Sequence, residues 1–467
     1  MVVGTVALVA WGVFAFGAVY PWAYGPLAIG SGLVGLLGLF TGSRPVWASN
    51  RVLLVALAGI GVVTAAQLIP LPLDWLTRVS PGTVAYLARY DLRYSVIIDP
   101  FGDVTSALRH AVSIAPARTI LFIQLFAAAT LLLVGLLRSL SRTTAMRLTK
   151  GIVFVGFALA VFGIAQKALL GDHAFGGMRI YGFWQPEFLL TTPFGPFVNK
   201  NHFGGWMLMG IPLALSLAMA SIREDDRRRR DVRQTLLWLS EPEGGRMLFY
   251  LVMALVMGLS LMMTGSRSSI AALTLMVGGL AVMRGRQNST RMTVVLVIAA
   301  VAALAAGLQW AGSDARLDRF ATDSQSLAMR LAIWRMSAGI VQAFPLLGTG
   351  LNTFGAASIV YQSSGSLHYN EAHNDYVQLL VEGGLVTFLL VVVAIVGVTR
   401  AVRARLASND DGTEARWLRV GASTGLVAIG LQALVEFSLQ MPGNAVLFVV
   451  LLALALYVPA AYRPASH

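Results

Sequence analysis

The sequence predicts an all-α integral membrane protein with about twelve transmembrane helices, in which residues 1–467 form one polytopic membrane domain. Two observations support this fold class. Of the 467 residues, 57% are hydrophobic and only 12% are charged, about half the charged fraction of an ordinary soluble domain. Apolar runs of about 17 to 20 residues also recur along the whole chain, and a helix of that length crosses the hydrocarbon core of a bilayer.

The apolar runs give the predicted spans in chain order. These spans cover residues 2–19, 25–41, 52–69, 118–137, 151–170, 203–221, 247–264, 269–283, 293–309, 375–398, 419–440 and 444–461. The first run has the length of a signal peptide, but it lacks a basic start, and Pro21-Trp22 is a poor cleavage site. We therefore count it as a span.

Basic residues predict which loops face the cytoplasm. Lysine and arginine are concentrated in alternate loops, namely Arg44 and Arg51; Arg138, Arg142, Arg147 and Lys150; residues 222–233; Arg284, Arg286 and Arg291; and Arg400, Arg403, Arg405 and Arg416. The positive-inside rule places these loops, and with them both termini, in the cytoplasm. In a bacterial inner membrane, the loops at 70–117, 171–202 and 310–374 then face the periplasm, and the last is the large periplasmic loop.

Composition also excludes several kinds of site. The chain contains no cysteine, so disulfides and thiolate metal sites play no part. The outer loops lack a compact Asp-x-Asp pair, and we expect neither a metal nor a cofactor. The net charge of +13 raises nucleic acid as a partner, but Arg227 to Arg230 have no interleaved aromatic residues that would stack on bases. These arginines are better explained as an anchor at the anionic headgroups of membrane lipids.

The large periplasmic loop is predicted to be partly helical. Residues 323–345 have the pattern of one helix, with Asp323 as its N-cap and Pro345 as its stop. Arg330 lies one turn before Trp334, so both side chains can point the same way. The apolar residues that recur at helical spacing, and so predict a helix lying on the outer leaflet, are Leu327, Leu331, Trp334 and Val341.

A polar stretch, EAHNDYVQLLVEGG at 371–384, places His373 just ahead of a predicted span. On a continuous helix the imidazole would share a face with residues 377, 380 and 384. Glu382, about two turns deeper, needs a polar partner or a wet cavity.

Two further features of this stretch have simple interpretations. Asp375 either orients the imidazole or favours the helix N-terminus. Gly383-Gly384 predicts close packing against another helix.

Cationic side chains lie at the same predicted depth in other outer segments. Arg267 sits where the seventh span turns directly into the eighth, and we expect it to face the bundle interior; contact with lipid headgroups is the alternative. At the outer end of the sixth span, residues 195–206 supply Asn199, Lys200, Asn201 and His202. These residues either belong to the same site or only satisfy a helix N-terminus.

These residue types fit the chemistry of a lipid-linked diphosphate. Arginines bind phosphate oxygens bidentately, and fixed cations stabilise the charge that develops on a diphosphate leaving group without a metal. A histidine can then accept the proton of an attacking sugar hydroxyl. We therefore expect a glycan to be transferred between lipid-linked carriers outside the cytoplasm. A structural role for His373 as a helix cap is the alternative.

The same residues resemble a known family. His373-Asn374, nine residues, Gly384, two residues and Thr387 is similar to the H[NSQ]-x9-G-x-x-[GTV] signature of the bacterial O-antigen ligase and O-antigen polymerase superfamily. Other stretches that resemble it are TGSRSS with Arg267, Arg330-x-x-x-Trp334 with PLLGTG, FVNKNHFGGW and QLIPLP. The similarity covers about residues 60–440, with an O-antigen ligase-related core at 195–440.

The resemblance implies a metal-independent, inverting membrane glycosyltransferase of the GT-C type, with an undecaprenyl-diphosphate-linked glycan as donor. It implies that His373 is the catalytic base and that Arg267 and Arg330 bind the donor diphosphate. Lys200 is expected to replace a further arginine of the family. The supporting residues of the expected site are Asn374, Asp375, Asn201, His202, Trp334 and Glu382.

These motifs leave the acceptor open. Ligases of this family use lipid A core, polymerases use a second lipid-linked glycan, and protein O-oligosaccharyltransferases use serine or threonine. A lipid-linked oligosaccharide flippase or another transporter is the alternative function, but transporters usually concentrate ionisable groups near the bilayer midplane and often have repeated halves. Here the charges lie at the outer rim and no internal repeat is visible, so we expect a transferase.

Overall fold

The computed structural model describes residues 1–94, 108–170, 179–185, 192–222, 238, 240–285, 316–362, 368–408 and 412–458. Within these ranges the chain is mostly helical, as predicted. The helices are α1 (Val2–Phe14), α2 (Pro21–Thr41), α3 (Trp47–Ala66), α4 (Leu73–Val79), α5 (Pro81–Tyr90), α6 (Pro116–Ser139), α7 (Arg142–Leu170), α8 (Lys200–Ala220), α9 (Pro242–Met263), α10 (Arg267–Gly285), α11 (Arg316–Ala343), α12 (Phe354–Tyr361), α13 (Asp375–Ala407), α14 (Gly412–Gln432) and α15 (Pro442–Leu456).

Seven of the described helices, α2, α3, α6, α7, α8, α9 and α13, are long and apolar enough to cross a membrane. Eleven of the twelve predicted spans coincide with a described helix, and the remaining one, 293–309, lies outside the described residues. The ends differ in places. The predicted span 419–440 begins and ends too late, because α14 covers Gly412–Gln432.

Helix α8 lies at the centre of the bundle and is buried over 83% of its apolar stretch. A Cβ atom at Gly205 would lie 2.7 Å from Oε1 of Gln432 on α14, so the glycine lets this side chain approach α8 closely. Gln432 also donates from Nε2 to the Asn201 carbonyl at 3.0 Å. The N-terminal end of α8, with Asn201 and His202, is therefore fixed between neighbouring helices.

Three of the five loops that were predicted to be cytoplasmic meet at one end of the bundle, and residues 223–233, 286 and 291 of the other two lie outside the described residues. The Arg44 N–H donates to the Arg138 carbonyl at 3.2 Å, and Arg142 pairs with Glu414 at 3.5 Å. Contacts between these loops therefore join the ends of α2, α6, α7 and α14.

The loops that were predicted to be periplasmic meet at the opposite end of α3. Strand β1 (Leu71–Pro72) pairs antiparallel with β2 (Arg109–His110). Gln67, which follows α3, donates from Nε2 to the Leu347 carbonyl at 2.6 Å. The first outer loop is thus tied to the large one.

Helix α11 begins earlier than predicted. It starts at Arg316, so Asp323 lies inside the helix and is not its N-cap. Its end at Ala343, two residues before Pro345, agrees with the predicted stop.

The face of α11 that packs against the protein is distinct from the face that carries Leu327 and Leu331. Ile333 and Ile340 are fully buried, whereas Leu327 and Leu331 are 57% and 40% exposed. The reason is that α11 packs its isoleucines into an apolar cluster with Phe354 of α12 and residues of α13. The helix is thus packed into the folded loop on one side, while Leu327 and Leu331 stay on its outer side, so their contact with the outer leaflet remains a prediction.

Helix α13 is broken at Gly384, where φ is 62° and ψ is −172°. The loop after α11 fills this break, and the Thr349 N–H donates to the Val381 carbonyl at 3.0 Å. A Cβ atom at Gly384 would lie 2.3 Å from the Leu346 carbonyl oxygen. Gly384 therefore admits a loop, and the prediction of close helix packing at Gly383-Gly384 is wrong at this position.

Candidate active site

A buried carboxylate, Glu436, contacts three residues of the expected site. Its side chain is 1% exposed. Arg330 Nη2 donates to its Oε1 at 2.5 Å, and Asn201 Nδ2 donates to the same oxygen at 2.8 Å. Nδ1 of His373 lies 3.9 Å from the other oxygen, Oε2, which is longer than a hydrogen bond. Helices α8 and α11 and the segment before α13 therefore converge on the loop after α14.

The loop that carries Glu436 is held by the start of α13. Asn374 Nδ2 donates to the Leu434 carbonyl at 2.8 Å, and the Asp375 N–H donates to the Ala433 carbonyl at 2.9 Å. These bonds fix the chain two and three residues before Glu436. The carboxylate is thereby held beside the imidazole.

His373 has a backbone φ of 50°, in the left-handed region that non-glycine residues seldom adopt. Its neighbours hold this turn on both sides. Trp334 Nε1 donates to the Ala372 carbonyl at 3.0 Å, and the side-chain oxygen of Asn374 caps the first turn of α13. His373 thus precedes the helix, and the expectation that it shares a helical face with residues 377, 380 and 384 is wrong.

An aromatic ring separates the two histidines of the expected site. The Phe437 ring stands edge-on to both imidazoles, with centroid distances of 4.7 Å to His202 and 4.9 Å to His373. His202 is 5% exposed, whereas the His373 side chain is 26% exposed. Of this pair, His373 is therefore the histidine that a substrate can reach from outside.

The groups around Glu436 favour the ionised form of its carboxyl. Burial by itself raises the pKa of this carboxyl, but contact with His373 and the charge of Arg330 outweigh burial and hold the pKa below its ordinary value. Opposite charges at this range are sufficient for such an effect. The site therefore contains a fixed anion between a guanidinium and an imidazole.

Glu382 has a different set of partners. Its Oε2 accepts the backbone N–H of Asn352 at 2.8 Å, and its Oε1 accepts the N–H of Phe354 at 2.9 Å. Gln378 Nε2 also donates to Oε1 at 3.2 Å. Glu382 therefore satisfies the N-terminal end of α12, and these bonds supply the polar partners that its depth requires.

Asp375 is bonded to a glutamine network. It accepts a hydrogen bond from Gln440 Nε2 at 3.1 Å. Gln440 in turn accepts from Gln378, which also donates to Glu371 at 2.7 Å. Glu436, rather than Asp375, is therefore the carboxylate beside the imidazole. Within the described ranges these acids do not form a group that could hold a metal ion.

Lys200 and Arg267 lie at the turn between α9 and α10. The Lys200 Nζ is 4.0 Å from the Cβ position of Gly265, two residues before Arg267. Arg267 is the first residue of α10 and is exposed, so it is not packed inside the protein, and its orientation toward the bundle interior stays a prediction. Lys200 therefore lies near the segment that carries Arg267. The next residue of α8, Asn201, contacts Glu436 instead.

Sequence reasoning does not single out Glu436 and Phe437, because both fall inside the predicted span 419–440. The available signal is ALVEFSLQMP, residues 433–442, in which one acid interrupts an apolar run. A carboxylate at membrane depth needs a partner. The argument that marks Glu382 therefore also marks Glu436.

Comparison with known families gives a match in this part of the chain. Residues 252–392 match the family model described as O-antigen ligase. This segment contains Arg267, Arg330 and His373, and the match confirms the O-antigen ligase-related assignment that the motifs predicted. No curated protein matches the chain.

Proposed function

We propose that this protein is a GT-C-type membrane glycosyltransferase, either an O-antigen ligase or a surface-polysaccharide polymerase. It transfers a glycan from an undecaprenyl-diphosphate-linked donor to an acceptor hydroxyl at the periplasmic face of a bacterial inner membrane. The observation that carries the proposal is the convergence of His373 and Arg330 on one buried carboxylate, with both residues inside the O-antigen ligase match.

The proposal includes an architecture. The chain has twelve spans with both termini in the cytoplasm, and 1–467 is a single membrane domain. Within it, 195–440 is the O-antigen ligase-related core and 310–374 is the large periplasmic loop. Support comes from the grouping of the predicted outer loops at the end of the bundle that carries His373.

In the proposed reaction, His373 is the general base. Its Nδ1 is buried beside Glu436, so Nε2 is the nitrogen that accepts the proton of the acceptor hydroxyl. The hydroxyl oxygen attacks the anomeric carbon while the bond from that carbon to the diphosphate oxygen breaks. The electron pair of that bond leaves with undecaprenyl diphosphate, and the configuration at the anomeric carbon inverts.

Arg267, Arg330 and Lys200 bind the diphosphate in this scheme. The Arg330 side chain is 25% exposed and uses Nη2 for Glu436, and a guanidinium has further N–H donors for phosphate oxygens. Fixed cations stabilise the charge that builds up on the leaving group, so the reaction needs no metal. The other residues of the expected site act through position, with Trp334 and Asn374 holding the turn at His373.

The acceptor is lipid A core or a second lipid-linked glycan, and the test is designed to separate the two. Purified protein is reconstituted in proteoliposomes with an undecaprenyl-diphosphate-linked repeat, alone or with lipid A core, and the products are analysed by gel electrophoresis and mass spectrometry. Chain growth without core identifies a polymerase, and modified core identifies a ligase. A protein O-oligosaccharyltransferase would instead require a serine or threonine acceptor.

We expect His373→Ala to lower the transfer rate by about 10²-fold or more, because general-base catalysis typically contributes that much. Arg267→Ala should have an effect of the same order through the lost stabilisation of the leaving group. His368→Ala and Arg93→Ala are matched controls, since His368 bonds the Gly355 carbonyl and Arg93 pairs with Asp91.

Both control variants should transfer glycan at the wild-type rate. A wild-type protein that forms no product with any of these acceptors, or a His373→Ala variant with unchanged rate, contradicts the proposal. A flippase would form no glycosidic product and would instead move the lipid-linked donor between leaflets, which a leaflet-specific labelling assay detects.

A further inference from the structure

The side chains of His373 and Glu436 lie next to each other without a hydrogen bond between them. Oε2 of Glu436 and Nδ1 of His373 are both buried, and within the part of the chain that the structure describes neither atom has a hydrogen-bond partner. They face each other at 3.9 Å. Buried polar atoms are almost always paired, so two such atoms side by side require an explanation.

The hydrogen bonds to the other oxygen of the Glu436 carboxylate explain why these two atoms are unpaired. Oε1 accepts one hydrogen bond from Arg330 at 2.5 Å and one from Asn201 at 2.8 Å. The bond from Arg330 joins two charged groups and is therefore the strongest of these contacts. It keeps Oε1 on Arg330, while Oε2 remains 3.9 Å from Nδ1 of His373.

We propose that Glu436 is a positioning carboxylate that moves from Arg330 to His373 when the donor diphosphate binds. This inference rests on the proposed function, in which Arg330 binds the diphosphate. A diphosphate carries more negative charge than a carboxylate and accepts the guanidinium bidentately, so it competes with Glu436 for Arg330. The partly exposed guanidinium is accessible to that competitor.

The released carboxylate then completes the base. Oε1 of Glu436 keeps its hydrogen bond from Asn201. Oε2 moves to within hydrogen-bond distance of His373 and accepts the hydrogen of Nδ1. This bond fixes the imidazole with its hydrogen on Nδ1, so that Nε2 carries the lone pair that takes the acceptor proton. After proton transfer, the adjacent anion stabilises the imidazolium. Donor binding and base strength are coupled through one side chain.

Glu436→Gln in the full-length protein, reconstituted in nanodiscs, tests this coupling. The neutral amide competes less well for Arg330, so the Kd for undecaprenyl diphosphate should fall by about threefold or more. The kcat of transfer should fall by about 10²-fold, because the base loses its anion. Loss of structure would weaken both the binding of undecaprenyl diphosphate and catalysis. Tighter binding together with a lower kcat therefore distinguishes a positioning role of Glu436 from a role in folding.

Glu371→Gln is the matched control. Burial raises the pKa of the Glu371 carboxyl to about 8, so the group is mostly protonated at pH 7 and the substitution removes little charge. This variant should keep the wild-type Kd and kcat. An unchanged or weaker affinity for undecaprenyl diphosphate in Glu436→Gln, or an unchanged kcat, overturns the inference.

A measurement on the wild-type protein gives an independent answer if Glu436→Gln does not fold. The chain has six histidines, and a His373→Asn variant assigns the ¹⁵N signals of His373 in labelled protein. Addition of undecaprenyl diphosphate should move the Nδ1 signal to that of a hydrogen-bonded N–H, and an unmoved signal overturns the inference. A wild-type protein that transfers no glycan would instead refute the proposed function itself.

Discussion

Glu436 and Glu382 are both buried carboxylates near the same end of α13, but their partners differ in kind. Glu436 lies between the side chains of Arg330 and His373. Glu382 accepts backbone N–H groups of Asn352 and Phe354. Side-chain cations can be exchanged for a substrate, whereas backbone donors at a helix end cannot. In the proposed reaction Glu436 therefore acts in catalysis, whereas Glu382 stabilises the fold.

We expect Glu382→Ala to lower the free energy of unfolding by about 2 kcal/mol or more, because it leaves one buried and one partly buried backbone donor without partners. Denaturant titration in mixed micelles measures this change. Glu414→Ala is the control, since Glu414 is 50% exposed and its pair with Arg142 is a surface salt bridge. That variant should lie within about 1 kcal/mol of the wild type. Equal stabilities of the two variants would contradict the structural role of Glu382.

At the residue scale, the sequence identifies the site's charged groups better than their pairing. His373 can be identified because it lies in a polar stretch just ahead of an apolar span, and Arg330 because it lies one turn before Trp334. Glu436 could not be paired with them from sequence, because its contacts with Arg330 and Asn201 span 106 and 235 positions of the chain. Hydropathy reports the cost of burying a charge and contains no information on which distant residue offsets it.

At the scale of elements, the break in α13 connects the large outer loop to the site. The loop inserts between the two halves of the helix, and the Gly350 N–H donates to the Glu382 carbonyl at 2.9 Å. A helix broken at membrane depth is tolerated only where its backbone groups find partners. This insertion therefore ties the large outer loop to the helix that follows His373.

Gly384→Ala should lower the free energy of unfolding by about 1–3 kcal/mol, since its backbone conformation is nearly restricted to glycine. The added Cβ would also meet the Leu346 carbonyl at 2.3 Å, so we expect the loop to move and transfer activity to fall. The free energy of unfolding is measured in detergent, and the transfer activity is measured in proteoliposomes. Gly339→Ala on α11 is the control, because nothing lies within 4 Å of its Cβ position. It should retain activity and stability, and equal losses in both variants would refute the role of the break.

The sequence predicts that a helix is present more reliably than it predicts the residues at which the helix begins and ends. Apolar length predicts that α14 exists, but it predicts an end at residue 440, whereas the helix stops at Gln432. Apolar composition continues through 433–440, and bonds from the start of α13 to Ala433 and Leu434 replace the helical ones. The missing information was again a tertiary partner.

At the scale of the whole molecule, the two ends of the bundle carry different chemistry. Arginines that were predicted to be cytoplasmic meet at one end, where Arg142 pairs with Glu414 and Arg405 donates to Asn50 at 3.1 Å. The histidine and the buried acids lie at the other end. The positive-inside rule predicts that the arginine-rich end faces the cytoplasm and that the end with His373 faces the periplasm.

The absence of cysteine makes that orientation directly testable, because the natural chain is already a cysteine-free background. Ala85 on α5 and Ala407 at the end of α13 are exposed alanines at opposite ends. We expect a membrane-impermeant maleimide to label Ala85→Cys in intact spheroplasts and to label Ala407→Cys only after permeabilisation. The parent chain should remain unlabelled in both conditions. The reverse pattern would place His373 in the cytoplasm, where a periplasmic acceptor could not reach it, and the proposed transfer would then be on the wrong side of the membrane.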